Sequence, residues 1–117
     1  GFPSPATDYI EEDIDLNVHL IKNVPATFVI RVQGRSMTDV GINDGDILVV
    51  DKSLNPRNFS TVIANVHDEL VVKTFVQERD KKFLTSGSKK FEDRILINEE
   101  EDIFIWGVVT YVIHSVY

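Results

Sequence analysis

Two residues of this chain, Ser36 and Lys73, are of the types that together can carry out nucleophilic catalysis. A serine hydroxyl becomes an effective nucleophile when a neighbouring base takes its proton, and a lysine can be that base when its amine is neutral. Burial in a low-dielectric setting favours the neutral amine. The sequence around Lys73 supplies such a setting, because residues 70–76 form an apolar strand pattern interrupted by this one charge.

A strand at this position has two apolar faces. Its alternation places Val71, Lys73 and Phe75 on one face, and Leu70, Val72 and Val76 on the other. The pattern therefore predicts that Lys73 does not lie on a solvent-exposed face. The alternative is a lysine on an edge strand, or one whose stem lies along the apolar surface while its ammonium group reaches water.

Ser36 lies in a turn-like stretch, Gln33-Gly34-Arg35-Ser36-Met37-Thr38-Asp39, directly after a strand-like run over 27–32. Gly34 permits a sharp turn and a close approach by a substrate strand. Backbone N–H groups near the serine could then form an oxyanion site. A glycine-rich turn and a hydrophobic strand over 47–51 follow. Gly-x-Ser-Met alone is a weak signal, since many such turns have no catalytic role.

Taken in order, three stretches resemble the LexA/UmuD family of self-cleaving SOS-response proteins. They are Ser36-Met37, the pattern Gly41-Ile42-x-Asp44-Gly45-Asp46-x-Leu48-x-Val50, and Val72-Lys73. The resemblance covers nearly the whole chain. It implies a serine peptidase with a Ser-Lys dyad, in which Ser36 is the nucleophile and Lys73 the general base, with no cofactor and no metal. It also implies a mostly β fold of coiled antiparallel sheets with a short N-terminal helix.

The first residues, Gly1-Phe2-Pro3-Ser4-Pro5-Ala6, resemble the start of the UmuD′ branch, in which the precursor has cleaved its own Cys-Gly bond. Gly1 is then expected to be the residue after the cut. This branch implies an accessory subunit of an error-prone translesion polymerase. The expected partners are a second copy of the chain in a homodimer, a Y-family (UmuC-like) polymerase subunit and, for the precursor, a RecA filament. The alternative is the self-cleavage and dimerisation domain of a LexA-like or phage repressor, which would follow a helix-turn-helix.

Length and composition set further limits. The 117 residues are enough for one domain, and a hydrophobic content of 43% supports a packed core. The chain has no cysteine and no apolar run long enough to span a bilayer, so we expect a cytoplasmic protein. Bacterial signal peptidases share the Ser-Met and Lys arrangement but are membrane anchored. The net charge of −7 argues against tight autonomous DNA binding, which depends on phosphate contacts.

Along the chain, we expect an extended arm over residues 1–14 and a peptidase-like domain over 15–117. Asp15 is a candidate N-cap for a helix over 16–21, and His67-Asp68 a tight hairpin turn. Residues 58–61 depart from the family, which usually has Gly-Asp before the following strand. Strands are predicted over 26–32, 47–51, 61–66, 69–77, 82–85, 94–97 and 102–114.

The other candidate sites are weaker. His19, His67 and His114 lack the spacing of metal ligands. Asp39 and Asp44 near the serine have no suitably placed histidine for a Ser-His-Asp triad. The acidic run over 99–102 is expected to be a solvated turn or a contact surface for a basic partner. The stretch 103–113 is apolar on both faces, which predicts either a central strand or a dimer interface, and the resemblance favours the dimer.

Overall fold

The computed structural model describes residues 13–34, 37–87 and 93–117. Their helix α1 (Leu16–Leu20) is followed by short 3₁₀ turns at Val24–Ala26, Thr38–Val40 and Glu99–Glu101. The strands are β1 (Thr27–Arg31), β2 (Ile47–Asp51), β3 (Thr61–Val66), β4 (Glu69–Glu78), β5 (Lys81–Thr85), β6 (Ile95–Leu96) and β7 (Ile103–Ile113). The mostly β fold with a short N-terminal helix is confirmed. No helix within these ranges is long and apolar enough to cross a membrane.

The seven strands form one open antiparallel sheet in the order β1-β2-β7-β3-β4-β5-β6. The long strand β7 joins the two halves, because it pairs with β2 along one edge and with β3 along the other. The register shifts between Val49 and Val50 in the first pairing, and between Ile63 and Ala64 in the second. Such irregularities bend a strand and increase its local twist.

Alternation along the strands builds a separate apolar core on each face of the sheet. The first core consists of Val32, Met37, Ile42, Leu48, Val50 and Ile63. The second consists of Val62, Ala64, Phe75, Leu84, Ile103 and Val108. Strand β4 contributes to both, since Val72 packs against the first core and Val71 against the second. The predicted two-sided burial of this strand holds at Phe75 and Val76, which are buried on opposite faces, but not at Leu70, which is 51% exposed.

The predicted element bounds agree closely with the structure. Strands β2 and β3 begin and end as predicted, and α1 ends at Leu20, one residue early. The Asp15 carboxylate accepts hydrogen bonds from the backbone N–H groups of Asn17 and Val18, as expected for an N-cap. Strand β6 is shorter than predicted at both ends. Arg94, predicted to begin this strand, lies outside it, and its side chain forms a bidentate ion pair with Glu78 at 2.8 and 2.9 Å.

Several turns place residues other than glycine in the left-handed region, and two of them bear on the sequence predictions. His67 and Asp68 have φ angles of 52° and 69°, which suit a type I′ turn, and the tight hairpin predicted between β3 and β4 is present. Phe59 has a φ angle of 71° in the turn where the family usually has Gly-Asp. Its side chain is 62% exposed, so packing does little to offset this backbone strain. The turn thus keeps a glycine-like conformation without the glycine.

Candidate active site

Lys73 lies on β4 directly opposite Val62 of β3, so its stem starts on the face of the second core. The side chain is half-buried, as predicted from its apolar neighbours. Its Nζ atom donates a hydrogen bond to Ser86 Oγ at 2.7 Å. The lysine amine is therefore held by a hydrogen bond to a hydroxyl of the protein and does not extend freely into solvent.

Ser86 follows the last residue of β5, one position beyond the cross-strand pair Thr74–Thr85. Its surroundings are closely packed. Thr85 is buried, and its hydroxyl donates to the Gly87 carbonyl at 3.1 Å. Gly87 is also buried and has a φ angle of +84°, a conformation that L side chains rarely adopt. The end of β5 therefore has little freedom to move Ser86 away from Lys73.

The segment after the candidate nucleophile reaches the same place. A β-carbon added at Gly87 would overlap the Asp39 carboxylate, so Asp39 lies directly against this glycine. Met37 is 2% exposed and belongs to the first core. Residues 37–39 are thus packed beside the turn that holds Ser86. Ser36 itself lies outside the described residues, and so does Arg35.

Hydrogen bonds fix the chain on both sides of that position. The Asp44 carboxylate accepts from the Gly34 backbone N–H at 3.0 Å, and the Met37 carbonyl accepts from the Ile42 N–H at 3.2 Å. Gly41, in the left-handed region at φ 83°, ends the short 3₁₀ turn Thr38–Val40. The glycine-rich pattern noticed in the sequence therefore anchors the chain up to Gly34 and from Met37 onward.

A cavity of about 330 Å³ lies beside this loop. Its lining combines polar and apolar surface and comes from the end of β1, from Met37 and from β3 and β4: Ile30, Arg31, Val32, Gln33, Met37, Ile63, Leu70, Val71 and Val72. Two of these lining residues are sequence neighbours of the candidate dyad, since Val72 precedes Lys73 and Met37 follows Ser36. A cavity of this size can receive side chains of an extended peptide.

Asp46 and His114 connect the same loop to the C-terminal segment. The His114 Nδ1 atom lies 2.6 Å from Oδ1 of the buried Asp46, whose other oxygen accepts from the Asn43 backbone N–H at 2.8 Å. The Asn43 N–H and then the His114 ring hold the pKa of Asp46 below its usual value. This pair is structural, because it joins the chain after β7 to the turn before β2.

The remaining sequence candidates are dispersed. His19 lies beside Tyr111, with 6.3 Å between the ring centroids. Asp44 caps the Gly34 N–H, so it is not directed at a histidine. No group of three or more His, Cys, Asp or Glu side chains that could hold a metal ion occurs within 13–34, 37–87 and 93–117. The acidic run contains the exposed turn Glu99–Glu101, capped by Asn98.

Relatives of known name match almost the entire chain. The family described as Peptidase S24-like matches residues 1–110. This chain belongs to that family. It is 45% identical to protein ImpA of Escherichia coli over 97% of its own length and 77% of ImpA. It is 40% identical to protein MucA of Escherichia coli, over 95% of this chain and 75% of MucA.

The LexA repressor of Providencia rettgeri is also similar, at 35% identity over 98% of this chain but only 56% of the repressor. The Peptidase S24-like family membership confirms the LexA/UmuD resemblance stated from the sequence. ImpA and MucA are UmuD-like, and the identity to them is higher than to this repressor. The chain is therefore a UmuD-like member of a family of self-cleaving serine peptidases.

Sequence analysis missed one residue of the site, Ser86. A signal for it existed in the hairpin between β4 and β5, whose turn at Arg79-Asp80 pairs Glu78 with Lys81. Continuing that register toward the open end of the hairpin brings position 86 opposite Lys73. The strand bounds predicted from the sequence, 69–77 and 82–85, imply the same pairing of positions 73 and 86. That pairing is certain only when the exact centre of the turn is known, because a shift of one residue changes every pair.

Proposed function

We propose that Ser36 and Lys73 form the Ser-Lys dyad of this UmuD′-like SOS mutagenesis protein, and that the dyad cleaves the chain's own precursor. The observation that carries the proposal is the position of Lys73. Its amine is held by the Ser86 hydroxyl, and its strand neighbours Val71 and Val72 line a cavity that is also lined by Met37, the residue that follows Ser36. A lysine at such a place can act as a base for a neighbouring serine.

In the proposed reaction, the Ser36 hydroxyl attacks the carbonyl carbon of the residue that precedes Gly1, and its proton passes to the Lys73 amine. The peptide bond then breaks as Lys73 returns the proton to the departing Gly1 nitrogen. Water hydrolyses the resulting ester and regenerates the serine. Backbone N–H groups near Ser36 are the candidates for stabilising the oxyanion.

The test uses the chain lengthened before Gly1 by a segment that ends in cysteine, referred to below as the extended chain. Cleavage at the restored Cys-Gly bond is followed by gel electrophoresis and intact mass, with RecA filaments and, without them, at mildly alkaline pH. Ser36→Ala and Lys73→Ala should each abolish cleavage, because nucleophile and base act as one unit. Ser60→Ala is the matched control, since it removes a serine hydroxyl from the turn before β3 that has no part in the proposed dyad.

Circular dichroism shows whether each variant is folded. Normal processing by a folded Lys73→Ala chain would exclude Lys73 as the base, and normal processing by Ser36→Ala would exclude Ser36 as the nucleophile. Without RecA, cleavage should accelerate as the pH rises, because a larger fraction of a lysine base is then neutral.

The proposed partners are a second copy of the chain and a Y-family polymerase subunit. An exposed apolar row supports the dimer. Val29 on β1 and Tyr111 on β7 flank Val49 of β2 on one face, and Ile113 continues the row along β7. These three side chains are 62%, 37% and 44% exposed. The first half of β7 is covered by the two cores. The apolar side chains of its second half are exposed and so are available to contact a second copy of the chain.

Co-expression with the cognate polymerase tests the second partner. We expect the polymerase chain to co-purify with two copies of this protein and to bypass lesions better in its presence. The identity to LexA repressor over most of this chain supports an alternative, a repressor dimerisation domain. Specific operator binding by a form of the chain that carries an N-terminal helix-turn-helix, with no polymerase retained, would favour that alternative. The net charge of −7 leads us to expect no specific duplex binding by the present chain.

A further inference from the structure

We infer that Ser86 is a positioning residue that orients the Lys73 amine for its work as a base. The inference rests on the proposed function, since it needs Lys73 to be that base. It begins from the 2.7 Å hydrogen bond in which Lys73 Nζ donates to Ser86 Oγ. No other hydrogen bond or ion pair of Lys73 occurs among the described residues.

The register of the sheet makes this contact a built feature. Position 86 follows the buried pair Thr74–Thr85 that ends the β4–β5 ladder, and extending this register by one place sets it opposite Lys73. Beyond it, Gly87 is fixed by the Thr85 hydroxyl and by the Asp39 side chain packed against its α-carbon. Ser86 is therefore held from both neighbours, and its hydroxyl is presented to the lysine from a rigid strand end.

The geometry of an amine explains why such a contact matters. A neutral lysine amine has two N–H bonds and one lone pair, on a flexible four-carbon stem. A base must direct the lone pair, not an N–H, at the proton that it takes. When one N–H is donated to Ser86, rotation about the last bonds of the stem is restricted. The lone pair can then be directed toward Ser36, and less freedom is lost on reaching the reactive arrangement.

Two serines, Ser36 and Ser86, now have a proposed part in the reaction, and their roles must be told apart. The family resemblance places the nucleophile at Ser36, in the Ser-Met pair. The resemblance assigns these roles and the contact does not, because the 2.7 Å separation of Lys73 Nζ and Ser86 Oγ would be the same whichever of the two groups donated. The inference therefore assigns the two hydroxyls different roles, which separate variants can distinguish.

The experiment measures the first-order rate of self-cleavage in the extended chain. Ser86→Ala should slow cleavage, by up to about 100-fold, because small misplacements of a reacting group can cost that much. Ser86→Thr keeps the hydroxyl and should restore most of the rate, which a merely space-filling role would not explain. Thr74→Val is the matched control, because it removes a neighbouring hydroxyl from the opposite face of β4 and should leave the rate unchanged.

Urea unfolding of each variant separates slow chemistry from poor folding. If Ser86→Ala does not fold, Ser86→Cys keeps the shape but offers only a weak sulfur acceptor, and we expect slow cleavage there too. A folded Ser86→Ala or Ser86→Cys chain that cleaves at the rate of the unmodified protein would overturn the inference.

Parallel variants keep the two proposals distinct. If Lys73→Ala is inactive while Ser86→Ala is fully active, only the positioning role fails. If Lys73→Ala cleaves normally, the proposed dyad fails and the positioning role fails with it. If Ser36→Ala cleaves normally while Ser86→Ala does not, Ser86 is the nucleophile, and both assignments are wrong.

Discussion

Thr74→Val should stabilise the protein. Thr74 is 5% exposed, and its hydroxyl has no hydrogen-bond partner among the residues that the structure describes. A buried polar group without a partner costs about 1–3 kcal/mol, and valine has nearly the same shape as threonine. We therefore expect the free energy of unfolding to rise by about 1–2 kcal/mol. Strand propensity favours the same direction, since valine suits a pleated, buried position.

The expected change in melting temperature follows from the size of the chain. An unfolding entropy of about 2.1 cal/mol/K per residue gives about 0.25 kcal/mol/K for 117 residues. A gain of about 1–2 kcal/mol then corresponds to about 4–8 °C. Urea unfolding followed by the fluorescence of Trp106, the one tryptophan of the chain, gives the free energy directly. Protein concentration must be equal in all samples, because dimerisation would add to the apparent stability.

The cross-strand neighbour supplies a matched comparison. Thr85 is 2% exposed, but its hydroxyl donates to the Gly87 carbonyl at 3.1 Å. Thr85→Val removes this bond and should destabilise the protein by about 1 kcal/mol. The same substitution at two paired positions is thus expected to have opposite signs. If Thr74→Val lowers the stability, or if both variants change it equally, the reasoning from hydroxyl satisfaction is refuted.

Three further predictions concern the turn before β3, the acid range and the dimer. Phe59→Gly should raise the free energy of unfolding by up to about 1 kcal/mol in urea, because glycine tolerates the φ angle of 71°. Phe59→Ala should not, because alanine has a β-carbon and is strained at this angle as phenylalanine is. The pKa of Asp46 is lowered by a backbone N–H and by His114 from its usual value of 3.8. Its carboxylate therefore stabilises the fold fully at pH values above 3.8, and this contribution is lost as the pH falls through the lower pKa of the folded state. Unfolding measured from neutral to acid pH should therefore show Asp46→Asn converging on the unmodified protein at low pH, and a constant difference would contradict this. Tyr111→Glu should give a monomer in light scattering at micromolar concentration, whereas Leu96→Glu on the far strand should remain dimeric, and a monomeric unmodified chain would refute the dimer.

Much of the fold was predictable because local patterns and tertiary packing agree. The runs over 47–51 and 61–66 are short, rich in β-branched residues and bounded by turns, and both strands have these bounds in the structure. The turn at His67-Asp68 was also predictable, since two residues between strands require a primed turn. Strand β6 was overestimated because it lies at the edge of the sheet, where its ladder with β5 consists of the pairs Ile95–Leu84 and Leu96–Phe83, followed by a hydrogen bond from the Ile97 N–H to the Lys82 carbonyl.

The candidate site was predictable only in part. Lys73 stands out in the sequence because it is a charge in an apolar strand, and its half-buried position agrees with that pattern. Ser86 does not stand out, because serine is common near strand ends and its role depends on which residue it faces across the ladder. That relation is set by the register of a hairpin, and a shift of one residue would turn a different side chain toward the lysine. The Gly87–Asp39 contact is longer in range still, and no local pattern indicates it.

The central claim is that Ser36 is a nucleophile activated by Lys73, and covalent labelling of the present chain tests it most directly. A fluorophosphonate reagent phosphonylates activated serine hydroxyls, and peptide mass mapping identifies the modified residue. We expect a single label on Ser36, absent from Lys73→Ala and from protein unfolded in urea. A label on Ser86, or a label on Ser36 that forms equally fast without Lys73, would contradict the claim.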